Sequence, residues 1–404
     1  MNRQFTRQFH SSIKNGLEEV FIVSGARTPV GKFNGALKSK TATQLGVVAV
    51  NAACERAGIT DKNTVNEVYL GQVLQAGVGQ SPARQVTIRA GFPVSTDATT
   101  INKVCSSALK AVMLALQNIQ TGQANVMIAG GMESMSNSPF YIPRGQAYGN
   151  FAATDSIIND GLWDIYGDMH MGSCAENTAK KFSLTREMQD QFAIKSYQRA
   201  LDAQKAGLFD EEIVPVETTT RGKTTLVTED EEPKSVNFDK LITLRPVFSK
   251  DGTVTAGNAS PINDGASAVV LASKSAISNH GLSSPLARVV SFADAAREPV
   301  DFTIAPSLSV PLAIKRAGLQ ISDIAKFELN EAFSAVALAN MHIMGLDPVK
   351  VNVKGGAVAL GHAIGSSGCR ILITLIHSLK AGEYGVAGIC NGGGGSSAMV
   401  IQKL

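Results

Sequence analysis

"CSSALKAVMLALQNIQTGQANVMIAGG", residues 105–131, and "GSSGCRILITLIHSLKAGEYGVAGICN", residues 365–391, align without a gap at an offset of 260 (365 − 105). In each copy a turn of small residues opens an apolar-periodic helical segment of about 16 residues. A glycine closes it, and a short apolar strand follows. "ERAGI" at 55–59 and "KRAGL" at 315–319 keep the same offset. A chain that contains itself twice reads as two halves of like fold, each with helices packed on a sheet. Strand candidates at 20–26, 125–131, 326–332 and 385–391 alternate with helical patterns, so the class is α/β.

The text between the copies is different. From 137 to 262 it is first aromatic and glycine-rich, then helical from 174 to 206, then polar through "TTTRGKTTLVTEDEEPKS" at 218–235. This reads as an inserted loop domain over the first half, with the acidic residues 229–232 as solvated surface. The organisation expected is an N-terminal half at 18–136 completed by about 263–284, the insertion at 137–262, and a C-terminal half at 285–404.

With 404 residues, 44% hydrophobic and 18% charged, the chain has material for a large core in two or three domains. A net charge of +3 spread along the chain gives no reason to expect nucleic acid as a partner. No apolar run approaches the length of a membrane-spanning helix. The five cysteines, Cys54, Cys105, Cys174, Cys369 and Cys390, include no C-x-x-C pair. That argues against a disulfide framework or a zinc site and for a reducing compartment. Residues 1–17 carry Arg3, Arg7 and Lys14 with no acid, and space Phe5, Phe9 and Ile13 four apart. An apolar stripe beside a basic face is the pattern of a mitochondrial presequence, with a basic tail as the alternative.

The offset also compares the chemistry. Cys105 faces Gly365, His362 faces Asn102, Asn330 faces Leu70 and Cys390 faces Gly130. Reactive residues therefore sit on corresponding loops but are not duplicated, as a single pocket shared by two halves would require. Cys105 opens a helix, where free N–H groups and the dipole lower a thiol pKa, so it is a nucleophile candidate. A small core residue is the alternative. His362, in "GGAVALGHAIGSSG", is placed to take the thiol proton, or else is a loop histidine in water. Asn330, in "ELNEAF" at a strand end, can orient a water or polarise a carbonyl, or simply serve a turn. Cys390 precedes Asn391 and Gly392 to Gly395, a sulfur beside approachable N–H groups as an oxyanion hole needs. A phosphate cradle is disfavoured, since no Gly-Lys-Ser/Thr follows. Two sulfurs and one imidazole suit acyl transfer combined with proton removal next to a carbonyl.

Taken together, "SGARTPVGKFNG", "NKVCSSALKA", "AGGMESMSN", "HMGSCAENTAKK", "GTVTAGNASPINDGA", "ELNEAF", "GGAVALGHAIGSSG" and "CNGGGG" resemble the thiolase family over nearly the whole chain from about residue 18. The resemblance implies a duplicated fold of two similar mixed-sheet halves, with helices between and outside them in α-β-α-β-α layers. It implies acetyl transfer between CoA thioesters, with Cys105 acylated, His362 activating it and Cys390 moving the α-proton. Asn330 with a water and His362 would form one oxyanion hole, and the N–H groups of Cys105 and Gly392 the other. Coenzyme A, as substrate rather than tightly bound cofactor, would meet Tyr197, Lys240 and Ser260. Carbonyls of Ala256, Gly257, Ala259 and Val358, beside Tyr197, resemble a potassium site. A homotetramer with residues 137–149 as outer contact and a mitochondrial matrix location are also implied. The chain departs from the family pattern at Ala108, Ser235, Thr303, Lys354 and Ala363, which bears on rate, CoA affinity and acceptance of 2-methyl-branched substrates. A longer-chain 3-ketoacyl-CoA thiolase and a silent CoA-binding scaffold are the rival readings. A ketoacyl synthase is disfavoured by Cys390, where that relative has histidine.

Overall fold

The structure, a computed structural model, describes residues 17–145, 148–220 and 222–404. The presequence expected at 1–17 lies, apart from Leu17, outside the described residues. Nine strands build the main sheet: β1 (Val20–Arg27), β2 (Glu67–Gly71), β3 (Asp97–Ile101), β4 (Val126–Ser134), β5 (Asn263–Ser273), β6 (Ala287–Ala296), β7 (Ile324–Leu329), β8 (Tyr384–Asn391) and β9 (Gly395–Lys403). Their order is β7-β8-β9-β6-β1-β5-β4-β2-β3, with Gly31–Lys32 as a tenth short strand on β5. Outward from β1 the pairings run antiparallel, antiparallel, parallel to β2; outward from β6 they run the same way to β7. The repeat in the sequence is thus a repeat in the sheet. The two halves meet at a short antiparallel seam, Phe21 with Arg288 and Ile22 with Ala287, so hydrogen bonding runs continuously across both.

The helices that matter for position are α1 (Ala42–Arg56), α2 (Ser107–Gln120), α3 (Met171–Lys181), α4 (Arg186–Lys205), α5 (Pro306–Arg316), α6 (Ser334–Met344) and α7 (Ser367–Ile376). Alternation along the strands sorts them into layers. Ile22, Met127 and Leu271 share an inner core with Leu109 and Val112 of α2, Ile371 and Leu375 of α7, and Ile389 and Ile401 of the other half. Val23, Ile128 and Val270 face outward onto α1. Phe327, Val386 and Val400 face α5 and α6. The result is the α-β-α-β-α stack, with the duplicated helices α2 and α7 in the middle. Every residue of α7 is buried. Gly368 lets it approach α2: a Cβ there would lie 2.7 Å from the Leu109 nitrogen.

Two expectations need correcting. The helix expected from 174 to 206 is two helices, because Ser183 takes φ 53° after α3 and Thr185 caps α4 by accepting from the Met188 N–H. The acidic stretch 229–232 is not solvated surface throughout. Asp230 is fully buried and grips the Nη1 and Nη2 of Arg27 at 2.7 and 3.0 Å, while Glu212 takes Nε at 2.8 Å. Glu231 caps the Lys32 and Ala36 N–H groups. The charge run is a strap that ties the insertion to the end of β1, since a buried guanidinium requires carboxylate partners.

Candidate active site

Cys105 ends a tight loop in which Val104 holds φ 48°, a conformation costly for a β-branched residue. The loop is over-determined. Lys103 donates through its N–H to Ser107 Oγ and pairs through Nζ with Asp294, Val104 N–H donates to Asn102 Oδ1, and Ser106 Oγ donates to Asn391 Oδ1 at 2.9 Å. That last bond fastens the start of α2 to the end of β8, bringing the loops of the two halves together. The Gly392 N–H and the N–H of Cys105 itself both favour negative charge on the sulfur.

The expected lowering of the Cys105 pKa does not occur. Burial pushes the thiol up to about 11, against the pull of those two N–H groups, because α2 begins only at Ser107 and desolvation of a thiolate outweighs them. His362 is likewise not a loop residue in water. It is 5% exposed, and burial first, then the Arg370 charge, lowers its pKa to about 3. Its N–H donates to Asn263 Oδ1 at 2.9 Å, and its Nδ1 lies 2.6 Å from Ser367 Oγ, which also bonds the Ala363 carbonyl at 3.0 Å. A carbonyl only accepts, so the single Ser367 hydroxyl proton goes to Ala363 and Nδ1 carries the imidazole proton. Nε2 is then a lone pair, buried and without a partner among the described residues.

Cys105 and His362 line one cavity of ≈ 100 Å³ together with Ser260, His170, Phe302 and Phe333. Its walls are mostly apolar, which suits a short acyl chain more than a charged group. Cys390 is not in that lining. It is fully buried in β8 and packs with Phe302, Phe333, Ala332 and Met171, four side chains of the cavity wall. Burial raises its thiol well above the usual range, and the negative charge of an ionised Cys105 adds to this, which places the two sulfurs in electrostatic reach. Asn330, just past β7, is buried with both amide atoms unpartnered among the described residues, while its backbone N–H holds the Gly388 carbonyl at 2.9 Å. Such an amide is kept for something that is not protein.

The glycine run has two requirements. Gly393 and Gly394 have φ 81° and 85°, and a Cβ on Gly394 would meet the Arg297 carbonyl at 2.1 Å. Gly392 differs: a Cβ there would meet nothing nearer than Met171 Sδ at 3.5 Å, so the fold does not demand glycine at the position whose N–H points at Cys105.

Of the residues expected at coenzyme A, Ser260 lines the cavity and donates through Oγ to the Ala332 carbonyl, and Lys240 is exposed on the short helix Phe238–Leu241. Tyr197 is 8% exposed and lies away from the cavity lining, packed with Leu241 and Val358. Gly257 sits against Leu241 as well, a Cβ there falling 2.9 Å from its Cγ. Tyr197, Val358 and Gly257 therefore gather around Leu241, with Ala256 and Ala259 close to Gly257 in the chain. The donor set fits: no backbone N–H of the described residues bonds the carbonyls of Ala256, Gly257 or Ala259, and the His362 N–H that a continuing helix would aim at Val358 goes to Asn263 instead. Negative charge on Glu232 and Glu331 raises the Tyr197 pKa further after burial, so the locality favours a cation.

Three residues of the site were not singled out by the sequence. Ser367 fixes the tautomer of His362; its place at a helix start after the histidine was a usable signal. His170, the first residue of "HMGSCAENTAKK", stacks on Phe248 with centroids 4.7 Å apart and accepts the Gly172 N–H through Nδ1. Glu133 is buried, is raised to about 7 by burial, and accepts from the N–H groups of Val73, Leu74 and Gly365; nothing in the sequence links it to them.

Residues 20–275 match the thiolase N-terminal domain and residues 283–403 the thiolase C-terminal domain. The chain belongs to the thiolase family. Among its relatives, an acetyl-CoA acetyltransferase of Yarrowia lipolytica is 60% identical over 96% of this chain and 97% of its own length, and a mitochondrial acetyl-CoA acetyltransferase of Homo sapiens is 54% identical over 97% and 92%. A thiolase of Ascaris suum, solved in complex with coenzyme A, superposes with a TM-score of 0.92 at 47% identity, covering 96% of this chain and all of that one.

Proposed function

We propose that this protein is an acetyl-CoA C-acetyltransferase that reversibly cleaves acetoacetyl-CoA with coenzyme A into two acetyl-CoA. The observation that carries the reading is one cavity holding both the Cys105 thiol, whose negative charge the Gly392 N–H favours, and the unpartnered Nε2 of His362. Cys105 gives its proton to His362 Nε2 as its sulfur attacks the 3-keto carbon, and the Gly392 and Cys105 N–H groups hold the oxygen that becomes negative. The C2–C3 bond breaks, the departing enolate takes a proton from Cys390, and Asn330 with a water stabilises its oxygen. Incoming coenzyme A gives its thiol proton to the Cys390 thiolate and attacks acetyl-Cys105, whose sulfur leaves with the proton stored on His362.

Ser260 and Lys240 would hold the pantetheine and nucleotide parts of coenzyme A, with Tyr197 nearby. Potassium fits the carbonyls of Ala256, Gly257, Ala259 and Val358 beside Tyr197; when bound it would brace the loop that carries Ser260. The exposed Phe140, Ile142 and Tyr148 support a homotetramer contact through 137–149. The mitochondrial relatives support the matrix as location. The small apolar cavity favours acetoacetyl-CoA over longer 3-ketoacyl chains.

The test is mass spectrometry after mixing with acetoacetyl-CoA, beside a thiolysis assay over a chain-length series. An acetyl adduct on Cys105 that disappears in Cys105→Ser, with rates falling as the chain lengthens, is expected. Absence of any adduct favours the silent scaffold, and a rate maximum at longer chains favours the long-chain reading.

A further inference from the structure

Arg370 lies on α7 one turn beyond Ser367, is 3% exposed, and has both Nη1 and Nη2 without a hydrogen-bond partner among the described residues. Its nearest carboxylate, Glu328 Oε2, is 3.9 Å away, too far to satisfy either nitrogen. Burial raises Glu328 above the usual carboxylate range, against the pull of Arg370, and it does not come within hydrogen-bond distance of the guanidinium. The other buried cation nearby, Arg27, is consumed by Asp230 and Glu212. A buried guanidinium with two nitrogens left without hydrogen bonds has a purpose or a high cost.

The guanidinium borders a small cavity walled by Gly361, Ala363, Ser366 and Ser367, the residues that flank His362 and hold its Nδ1, together with Thr28 and Gly265. Its volume is ≈ 10 Å³, room for about one water. The chamber and the substrate cavity share no lining residue and take alternate positions of this loop, Gly361 and Ala363 lining the one, His362 and Ile364 the other. Arg370 therefore meets the His362 loop from outside the substrate cavity, within electrostatic reach of the imidazole.

We propose that Arg370 is a positioning residue for acyl transfer: from this chamber its guanidinium braces the loop that carries His362 and the Ser367 hydroxyl on its Nδ1, and it stands as the one permanent cation beside the imidazole. The inference rests on the acetyltransferase reading above. The groups that face His362 are Cys105 and His170 across the substrate cavity, Glu133 through the Gly365 N–H, and Arg370 from α7 with Glu328 behind it. Among them Arg370 alone is a permanent cation. A cation beside the ring makes the protonated imidazole a stronger acid, so the proton taken from Cys105 is returned readily to the departing sulfur. Acidity here serves release, and burial already ensures that the resting ring is neutral.

The experiment is the pH dependence of thiolysis kcat in the parent, Arg370→Met and Arg370→Lys. In Arg370→Met the acid limb should move up by roughly 1 pH unit, the scale on which a neighbouring charge moves a titration. Arg370→Lys should restore the parent limb. A uniform fall in kcat with the limb unmoved in Arg370→Met would overturn the proposal. Should Arg370→Met not fold, nitrogen NMR of the milder Arg370→Gln decides: its His362 midpoint should lie above the parent's with Nδ1 still protonated, and an unmoved midpoint would overturn the proposal. A parent without thiolysis activity sinks the reading beneath, and the NMR titration still stands as a separate result.

Discussion

A thiol at about 11 and an imidazole at about 3 form no ion pair at neutral pH, so Cys105 rests as a thiol and the proton moves only as the sulfur attacks. Orientation of the imidazole then matters more than its basicity. Ser367→Ala should leave the His362 ring free to flip its tautomer and lower kcat by about 10²-fold or more, the lower range of what a positioned base supplies, with little change in KM. Steady-state kinetics on acetoacetyl-CoA checks it. The same shifts set the pH dependence of stability. The pKa of His362 falls from 6.5 unfolded to about 3 folded, so its contribution is complete above pH 6.5 and is lost as pH falls toward 3. Glu133 goes the other way, from 4.5 to about 7: its contribution is complete below pH 4.5 and is lost as pH rises through 7. Urea midpoints across pH should therefore show a flatter acid side in His362→Asn and a flatter neutral side in Glu133→Gln. An unchanged profile in both would contradict the assigned causes.

Among the elements, α2 and α7 carry the nucleophile loop and the histidine support, and their mutual approach fixes the distance between the two halves of the site. Gly368→Val places side-chain carbon where the Leu109 backbone stands and should destabilise by about 1–3 kcal/mol, as overpacked cores do, read as a lower urea midpoint. These two helices were also the most legible part of the sequence, because the same period and stop recur at a fixed offset. The break between α3 and α4 was less legible. Apolar period continues across it, and only the φ of Ser183 and the Thr185 cap divide it.

In the whole molecule, one sheet passes through both halves at the β1–β6 seam, and the insertion is tied back to β1 by Arg27, Asp230 and Glu212. Arg27→Met leaves two buried carboxylates unpaired and should cost about 3–5 kcal/mol, seen in thermal or urea unfolding. Lys354, which departs from the family pattern, is held in the same region: it is 6% exposed and donates to the Leu208 carbonyl at 2.8 Å above the Phe209 ring. Ala108 is enclosed between α2 and β4, where a Cβ on Gly131 would come within 2.8 Å of its own. Ser235, on the exposed strap, donates to the Glu232 carbonyl.

By itself the sequence determined the duplication, the class of fold and the identity of the reactive side chains, because periodicity, turn chemistry and residue type are local properties. Whether Asp230 is solvated, which imidazole nitrogen carries the proton, and how far the Cys105 thiol moves from its ordinary pKa were decided only by tertiary structure. Each depends on what surrounds a group from distant parts of the chain: Arg27 around Asp230, Ser367 and Arg370 around His362, and Gly392 with the enclosing core around Cys105. Burial removes water, and a charge without water is governed by its few remaining neighbours.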